Sequence, residues 1–195
     1  MEKLRKLFTR KNIFNAFFIV LMIVLLVSPQ AKALLIKGLI SVGIMRPPTQ
    51  SEAVTNATPV VNITLRQANG AILQTQQLKG KVLVINFWAT WCPPCIAEMP
   101  SINEMYLRYK GNANLMVLPV DVDGDLPKSL AFMKENGYSL PVYQLGAAPP
   151  QGLLSDAIPT TIIIGKNGQV VASHEGAADY ASKPFYEYLE KLLKE

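Results

Sequence analysis

The two cysteines of the chain stand three residues apart, in the stretch Trp88-Ala89-Thr90-Trp91-Cys92-Pro93-Pro94-Cys95. The apolar run 82–87 comes directly before this stretch, and apolar residues at helical spacing follow it. The pattern predicts a buried strand, a tight turn and a helix whose first turn carries both thiols. Free backbone N–H groups and the helix dipole favour a thiolate at such a position. We therefore interpret Cys92 as the attacking thiol and Cys95 as the resolving thiol.

An inert structural disulfide and half of a metal site are the alternative interpretations of this pair. A link across so few residues gives little stabilisation through chain entropy. A zinc site needs about four ligands, and besides His174 only carboxylates remain to supply them. Thiol–disulfide chemistry is therefore favoured, with no metal and no cofactor beyond the redox-active disulfide. We assign His174 no role in catalysis.

The basic residues that give the chain its formal net charge of +5 are concentrated near the N-terminus. Residues 51–195 contain 11 basic and 13 acidic side chains, a net charge of −2. A folded domain with this balance offers no general attraction to nucleic acid, and we expect no nucleic-acid partner.

An apolar run from Ile13 to Val27 follows the basic leader and predicts an export segment whose basic end stays in the cytoplasm. Ala31-Lys32-Ala33 has the small-x-small form of a signal-peptidase site. Apolar residues at 34–36 and 39–40 continue beyond it in a segment suited to lie along the membrane surface, and they favour an uncleaved anchor over cleavage. An anchor leaves the rest of the chain tethered outside the cytoplasm, whereas cleavage leaves it secreted or periplasmic. The expected division is a signal anchor or signal peptide over 1–33, a juxtamembrane segment and linker over 34–57, and a folded domain over 58–195.

Strands and helices are predicted to alternate in the folded domain. Alternating apolar residues on either side of Asn69-Gly70 predict an N-terminal hairpin. The buried runs 82–87 and 115–120 predict two neighbouring parallel strands. After the hairpin, the predicted order is β-α-β-α-β-β-α.

The segment Asp121-Val122-Asp123-Gly124-Asp125 resembles a calcium loop only superficially. Its glycine stands fourth rather than sixth, and the closing glutamate is absent. We predict that it forms a turn and a helix cap. The helix that follows, over 127–136, is expected to direct Leu130 and Met133 inwards.

Three further motifs accompany the cysteine pair: Gly80-Lys81 before the strand, Glu98-Met99-Pro100 after the cysteines, and the distant Ile158-Pro159-Thr160-Thr161. Together with the export segment, they make the chain resemble the thioredoxin superfamily over about residues 58–194. Within it, the chain is similar to the membrane-tethered oxidoreductases of the TlpA, ResA and CcmG type. The resemblance implies a thioredoxin-like α/β fold, a central mixed sheet flanked by helices, with an N-terminal β extension and an N-terminal membrane or signal helix.

The resemblance also implies a substrate-binding surface. A cis peptide bond before Pro159 would face the cysteine pair and leave the backbone of Ile158 free to pair with an extended substrate. Trp91 and Pro93, on either side of Cys92, complete the implied substrate-binding set.

Glu98 matches an acid of the ResA-like branch, whereas Asn86 stands where thioredoxins place a buried aspartate. We expect Glu98 to be partly buried, to have a raised pKa and to help deprotonate Cys95. The alternative is an exposed acid that complements the helix N-terminus.

The dipeptide Pro93-Pro94 bears on the direction of electron flow. Strong oxidants of the superfamily tend to carry a histidine between the cysteines, which stabilises the thiolate and hence the reduced protein. The absence of such a histidine predicts that the protein is a reductant of disulfides in exported proteins. By analogy with the family, a membrane electron donor of the DsbD or CcdA type re-reduces it. The alternatives are a thiol oxidant, a metal-delivery protein, and a thiol peroxidase, for which Ala89 stands in place of the required hydroxyl residue.

Overall fold

The computed structural model describes residues 10–41, Pro47, 60–153 and 157–195. Its elements, in chain order, are α1 (Arg10–Val27), α2 (Pro29–Ser41), β1 (Thr64–Gln67), β2 (Ile72–Gln74), a 3-10 helix (Thr75–Leu78), β3 (Val82–Trp88), α3 (Pro93–Tyr109), β4 (Leu115–Asp121), α4 (Leu126–Glu135), β5 (Tyr143–Leu145), β6 (Thr160–Ile164), β7 (Val170–Glu175) and α5 (Lys183–Lys194).

The seven strands form one mixed sheet in the order β2-β1-β5-β4-β3-β6-β7. β3 pairs in parallel with β4, as predicted for the two buried runs. β6 and β7 form the predicted antiparallel hairpin, and β1 and β2 form the N-terminal one around Asn69-Gly70. Gly70 has a φ of 86°, a conformation that glycine adopts without steric cost. The predicted order omitted β5, which pairs with both β1 and β4.

Strand β3 lies inside the sheet, between β4 and β6, and is buried along its whole length. Because side chains alternate between the faces of a strand, Val84 and Trp88 pack beneath helices α3 and α5. Ile85 and Phe87 join a second apolar cluster on the opposite face. Burial on both sides explains why this segment is almost continuously apolar.

Helix α3 continues through Pro100 to Tyr109 and buries Met99, Ile102 and Tyr109. Helix α4 differs in one detail from the sequence-based expectation. In α4 the buried stripe contains Ser129 and Met133, and Leu130 is 44% exposed, so its predicted inward orientation was wrong. Ser129 and Met133 are one turn apart on the same face, and Leu130 lies about 100° around the helix from Ser129.

The N-terminal apolar segment forms two helices rather than one. Among the described residues, no single helix is long and apolar enough to cross a membrane. The parts Phe14–Val27 and Pro29–Ile40 satisfy the criteria of length and composition only as a pair, and they meet at an angle of 89°. Ser28 forms the corner, where its hydroxyl oxygen accepts a hydrogen bond from the Ala31 N–H at 3.3 Å. Residues 42–46 and 48–57 of the predicted juxtamembrane segment and linker lie outside the described residues.

Candidate active site

The cysteine pair lies where the central strand passes into helix α3. Cys92 is the N-cap of this helix, and Pro93 and Pro94 occupy its first turn, where a backbone N–H has no helical partner to lose. The backbone N–H of Cys95 donates to Sγ of Cys92 at 3.3 Å. A disulfide joins Cys92 and Cys95. The predicted strand, turn and helix therefore present both sulfurs at the helix N-terminus.

The two sulfurs differ in accessibility. Cys92 is 2% exposed, and Cys95 is completely buried. Both residues are buried, and of the two only Cys92 keeps any accessible surface. The roles of attacking and resolving thiol stay predictions.

The loop before β6 faces Cys92 across the site. The peptide bond between Ile158 and Pro159 is cis, as the resemblance implied. The carbonyl oxygen of Ile158 lies 3.8 Å from Sγ of Cys92. The structure thus brings this loop and the first cysteine together, although they are 66 residues apart in sequence. Substrate binding by Ile158 and Pro159 stays a prediction.

Trp91 forms the exposed rim beside Cys92. Its indole N–H donates to Oδ1 of Asp123 at 2.8 Å, and its ring is mostly accessible. This contact was not predicted from the sequence, although the parallel pairing of β3 with β4 sets Trp88 opposite Asp121 and so brings the following turns together. Pro93, the other residue predicted to bind substrate beside Cys92, is half-buried.

The acidic turn after β4 has the structural role that was predicted. Asp121 accepts a hydrogen bond from the backbone N–H of Asp123 at 3.0 Å, and Asp125 caps α4 by accepting from the N–H of Lys128. Within the parts of the chain that the structure describes, no group of three or more His, Cys, Asp or Glu side chains is arranged to hold a metal ion.

Glu98 lies on α3 one turn after Cys95 and is completely buried, not partly buried as expected. Its Oε1 accepts from Nδ2 of Asn86 at 2.7 Å, and its Oε2 accepts from the N–H of Ala178 at 3.2 Å. Burial raises the pKa of Glu98 to about 8, although both hydrogen bonds oppose this shift. These contacts exclude the alternative of an exposed acid at the helix N-terminus.

Asn86 connects Glu98 to the strand that follows the cis peptide bond. Its Nδ2 also donates to Oγ1 of Thr161 at 2.9 Å, in agreement with the register that sets Asn86 opposite Thr161. Tyr180 is buried nearby, and burial together with the charge of Glu98 raises the pKa of its hydroxyl. We refer to Asn86, Glu98, Thr161 and Tyr180 as the buried polar cluster. From the sequence, Asn86 was interpreted only as a departure from thioredoxin, Thr161 was named only as part of the motif that contains Pro159, and Tyr180 was not predicted.

Comparisons with known proteins show the family to which the chain belongs. The profile of the Redoxin family matches residues 53–189. The chain belongs to the redoxin family. The thiol-disulfide oxidoreductase ResA of Bacillus anthracis is 30% identical to this redoxin over 132 residues, which cover 67% of the chain and 75% of the relative. ResA of Bacillus subtilis (strain 168) is 30% identical over 125 residues, with coverages of 62% and 67%.

Solved structures show the same architecture as this redoxin. A thiol:disulfide interchange protein of the thioredoxin family from Chlorobium tepidum TLS superposes with a TM-score of 0.58 at 26% identity, covering 72% of this chain and 99% of that one. A secreted thiol-disulfide isomerase from Corynebacterium glutamicum gives a TM-score of 0.60 at 18% identity, with coverages of 75% and 98%. The chain is a ResA-like thiol–disulfide oxidoreductase with a thioredoxin-like α/β fold, which confirms the predicted family, enzyme class and mixed sheet.

Proposed function

We propose that this redoxin acts outside the cytoplasm as a reductant of disulfides in exported proteins. The thiolate of Cys92 attacks a substrate disulfide, so that a mixed disulfide forms and one substrate sulfur leaves as a thiolate. The thiolate of Cys95 then attacks Sγ of Cys92 and releases the second substrate sulfur. Two electrons have then passed to the substrate, and the protein holds the Cys92–Cys95 disulfide.

The observation that carries this cycle is the buried carboxyl one turn beyond the buried thiol. Cys95 must lose a proton before it can attack, and it is shielded from water. Residues three apart on a helix share a face, so Glu98 can reach the region of Cys95. Burial raises the pKa of Glu98 to about 8, so its carboxylate binds a proton more tightly than an exposed carboxylate does. We assign Glu98 the role of accepting the proton that Cys95 loses.

The direction of electron flow follows from what stabilises the Cys92 thiolate. The backbone N–H of Cys95 donates to Sγ of Cys92, and neither Pro93 nor Pro94 offers a side-chain donor or a charge. A weakly stabilised thiolate makes the dithiol a better electron donor. We therefore assign the protein to the reductants, with a membrane dithiol carrier of the DsbD or CcdA type as its source of electrons.

The location rests on the basic leader and the apolar helix α1, which together resemble an export segment. Outside the cytoplasm a dithiol becomes oxidised unless electrons are supplied, which is why the proposed reductant needs a membrane donor. We place the catalytic domain on the extracytoplasmic side, anchored by the N-terminal segment.

Equilibration with glutathione buffers tests the direction. We expect a reduction potential more negative than about −200 mV. A potential near −120 mV, which is typical of a strong oxidant, would reverse the assignment.

Trapping tests the order of attack. A Cys95→Ala variant should accumulate mixed disulfides through Cys92 with exported proteins, because the resolving thiol is missing. Cys92→Ala is the matched control and should accumulate none. Equal trapping by both variants would contradict the assigned roles.

The assignment of Glu98 is tested by the pH dependence of insulin reduction. Glu98→Gln should lose the ionisation near pH 8 from the rate profile, whereas Glu104→Gln, an exposed position on the same helix, should keep it. Identical profiles for the two variants would remove Glu98 from the mechanism.

A further inference from the structure

Helix α2 has two apolar faces, and the folded domain covers only one of them. Ala33 and Ile40 are buried against Ala97 of the catalytic helix α3 and Ala177 of the loop after β7. Ile36 and Ile96 extend this contact at its edge. The inner face of α2 is therefore docked directly on the helix that carries the active site.

The opposite face of α2 exposes large apolar side chains. Leu34 is 71% exposed, Leu35 56% and Leu39 43%. At 100° per residue, these three leucines span an arc of about 140° that is centred opposite Ala33 and Ile40, and Ile36 lies at its border beside Leu39. Exposed leucines grouped on one helix face are typical of a surface that a membrane or a protein partner covers.

The lysines of α2 lie between its two faces. Lys32 and Lys37 are both exposed, and the helix contains no acidic residue. Helical spacing places one lysine at each border of the outer face. An apolar stripe bordered by lysines matches a bilayer interface, where leucines enter the acyl chains and ammonium groups reach the headgroup phosphates.

The angle between the two N-terminal helices gives the same orientation. Helix α1 is apolar and mostly exposed from Phe14 to Val27, and α2 leaves it at 89°. If α1 stands along the bilayer normal, α2 lies parallel to the membrane surface. The corner at Ser28 is built for this change of direction, because Ser28 caps α2 and Pro29 begins it.

We propose that the outer face of α2 lies in the interface of a phospholipid bilayer while its inner face holds the catalytic helix. This proposal rests on the membrane location given under Proposed function. Because Ile96 and Ala97 follow Cys92 by four and five residues, the attacking sulfur lies about 6–8 Å along α3 from the docking contact. The dithiol is therefore presented close to the membrane plane, where an electron donor embedded in the bilayer would meet it.

Quenching of added tryptophans by brominated lipids tests the proposal on the full-length protein with both cysteines in place. The protein is reconstituted in vesicles of phosphatidylcholine and phosphatidylglycerol, with and without bromine on the acyl chains. Leu35→Trp reports the outer face of α2, Phe18→Trp reports α1, and Leu130→Trp is an exposed control on α4. The unsubstituted protein gives the baseline from Trp88 and Trp91.

Brominated chains should lower the added fluorescence of Leu35→Trp and Phe18→Trp at least about twofold and leave that of Leu130→Trp unchanged, because only the first two positions enter the acyl region. Quenching of Phe18→Trp without Leu35→Trp would overturn the proposal for α2 and leave the anchor intact. If neither variant were quenched, the result would contradict both the proposal for α2 and the membrane location. Equal quenching of Leu35→Trp and Leu130→Trp would also overturn it, since the contact would then be unspecific. Insulin reduction by the same samples reports the redox function separately.

Discussion

The two faces of strand β3 are equally buried but chemically different. Ile85 and Phe87 point into a cluster made of aliphatic and aromatic side chains. On the other face, Asn86 stands between Val84 and Trp88 and contacts Glu98 beneath the catalytic helix. One face of the strand therefore supplies packing, and the other supplies the side chain that donates a hydrogen bond to the carboxyl group of Glu98. The comparison indicates that stability and chemistry can be altered separately by substitutions on neighbouring residues.

The largest expected effect is on the apolar face. Phe87→Ala should lower the free energy of unfolding by about 3–5 kcal/mol, because a fully buried aromatic ring is replaced by a cavity. Urea unfolding of the oxidised protein measures this loss. Insulin reduction per folded molecule should stay unchanged. A matching loss of activity would break the separation between the two faces.

On the polar face, Glu98→Gln should alter the pH dependence of stability. In the unfolded chain Glu98 has its ordinary pKa of 4.5, whereas burial in the folded protein raises that pKa to about 8. The free energy of unfolding should therefore fall as pH rises between these values, by at most about 1.4 kcal/mol per pH unit. Glu98→Gln should remove this slope, as measured by urea unfolding of the oxidised protein from pH 5 to 8. Glu104→Gln is the control, and an unchanged slope in Glu98→Gln would contradict the prediction.

Thr161→Val tests whether the buried polar cluster acts as a unit. It removes the hydroxyl that accepts from Asn86 and should cost about 1–3 kcal/mol of stability, since a buried donor loses a partner. With Asn86 held less firmly, its hydrogen bond to Glu98 should weaken, and the pKa of Glu98 should rise further. The pH profile of insulin reduction should shift upwards. A loss of stability with no shift in the profile would restrict Thr161 to a structural role.

The smallest expected effect comes from the next residue of the same strand. Ile162 lies in the apolar cluster on the opposite face from Thr161. Ile162→Val should cost about 0.5–1.5 kcal/mol, because only one methylene is lost. Its pH profile should match that of the unsubstituted protein. If it moved as far as that of Thr161→Val, the profile would report general loosening rather than the polar cluster.

Local patterns were sufficient to predict the strand, turn and helix around the cysteines, because each signal lies within a few residues of the element it specifies. The short strand β5 was missed, since its three residues are held by pairing with β1 and β4 rather than by a pattern of their own. Leu130 was misplaced because spacing alone does not reveal which face of a short helix meets the sheet.

The active-site residues also divide into those that local patterns predict and those that depend on tertiary contacts. Cys92 and Cys95 could be found from their spacing, and Glu98 from its resemblance to a known branch of the superfamily. The hydrogen bond from Ala178 to Glu98 could not be predicted, because it joins residues that are 80 positions apart in the sequence. The docking of α2 on α3 likewise depends on tertiary contacts that no local pattern encodes.

Cys92 at the N-cap of α3 and Cys95 in its first turn can be oxidised and reduced with little change in the rest of the chain. Oxidation and reduction make and break a link that spans only three residues, so each cycle changes little of the chain's conformational freedom. Among the described residues, the strands of the sheet and the apolar cluster that contains Ile85 and Phe87 hold no cysteine, so no bond within them is made or broken in the cycle. The cysteine pair can therefore be oxidised and reduced repeatedly while the scaffold that holds the reacting atoms keeps its fold.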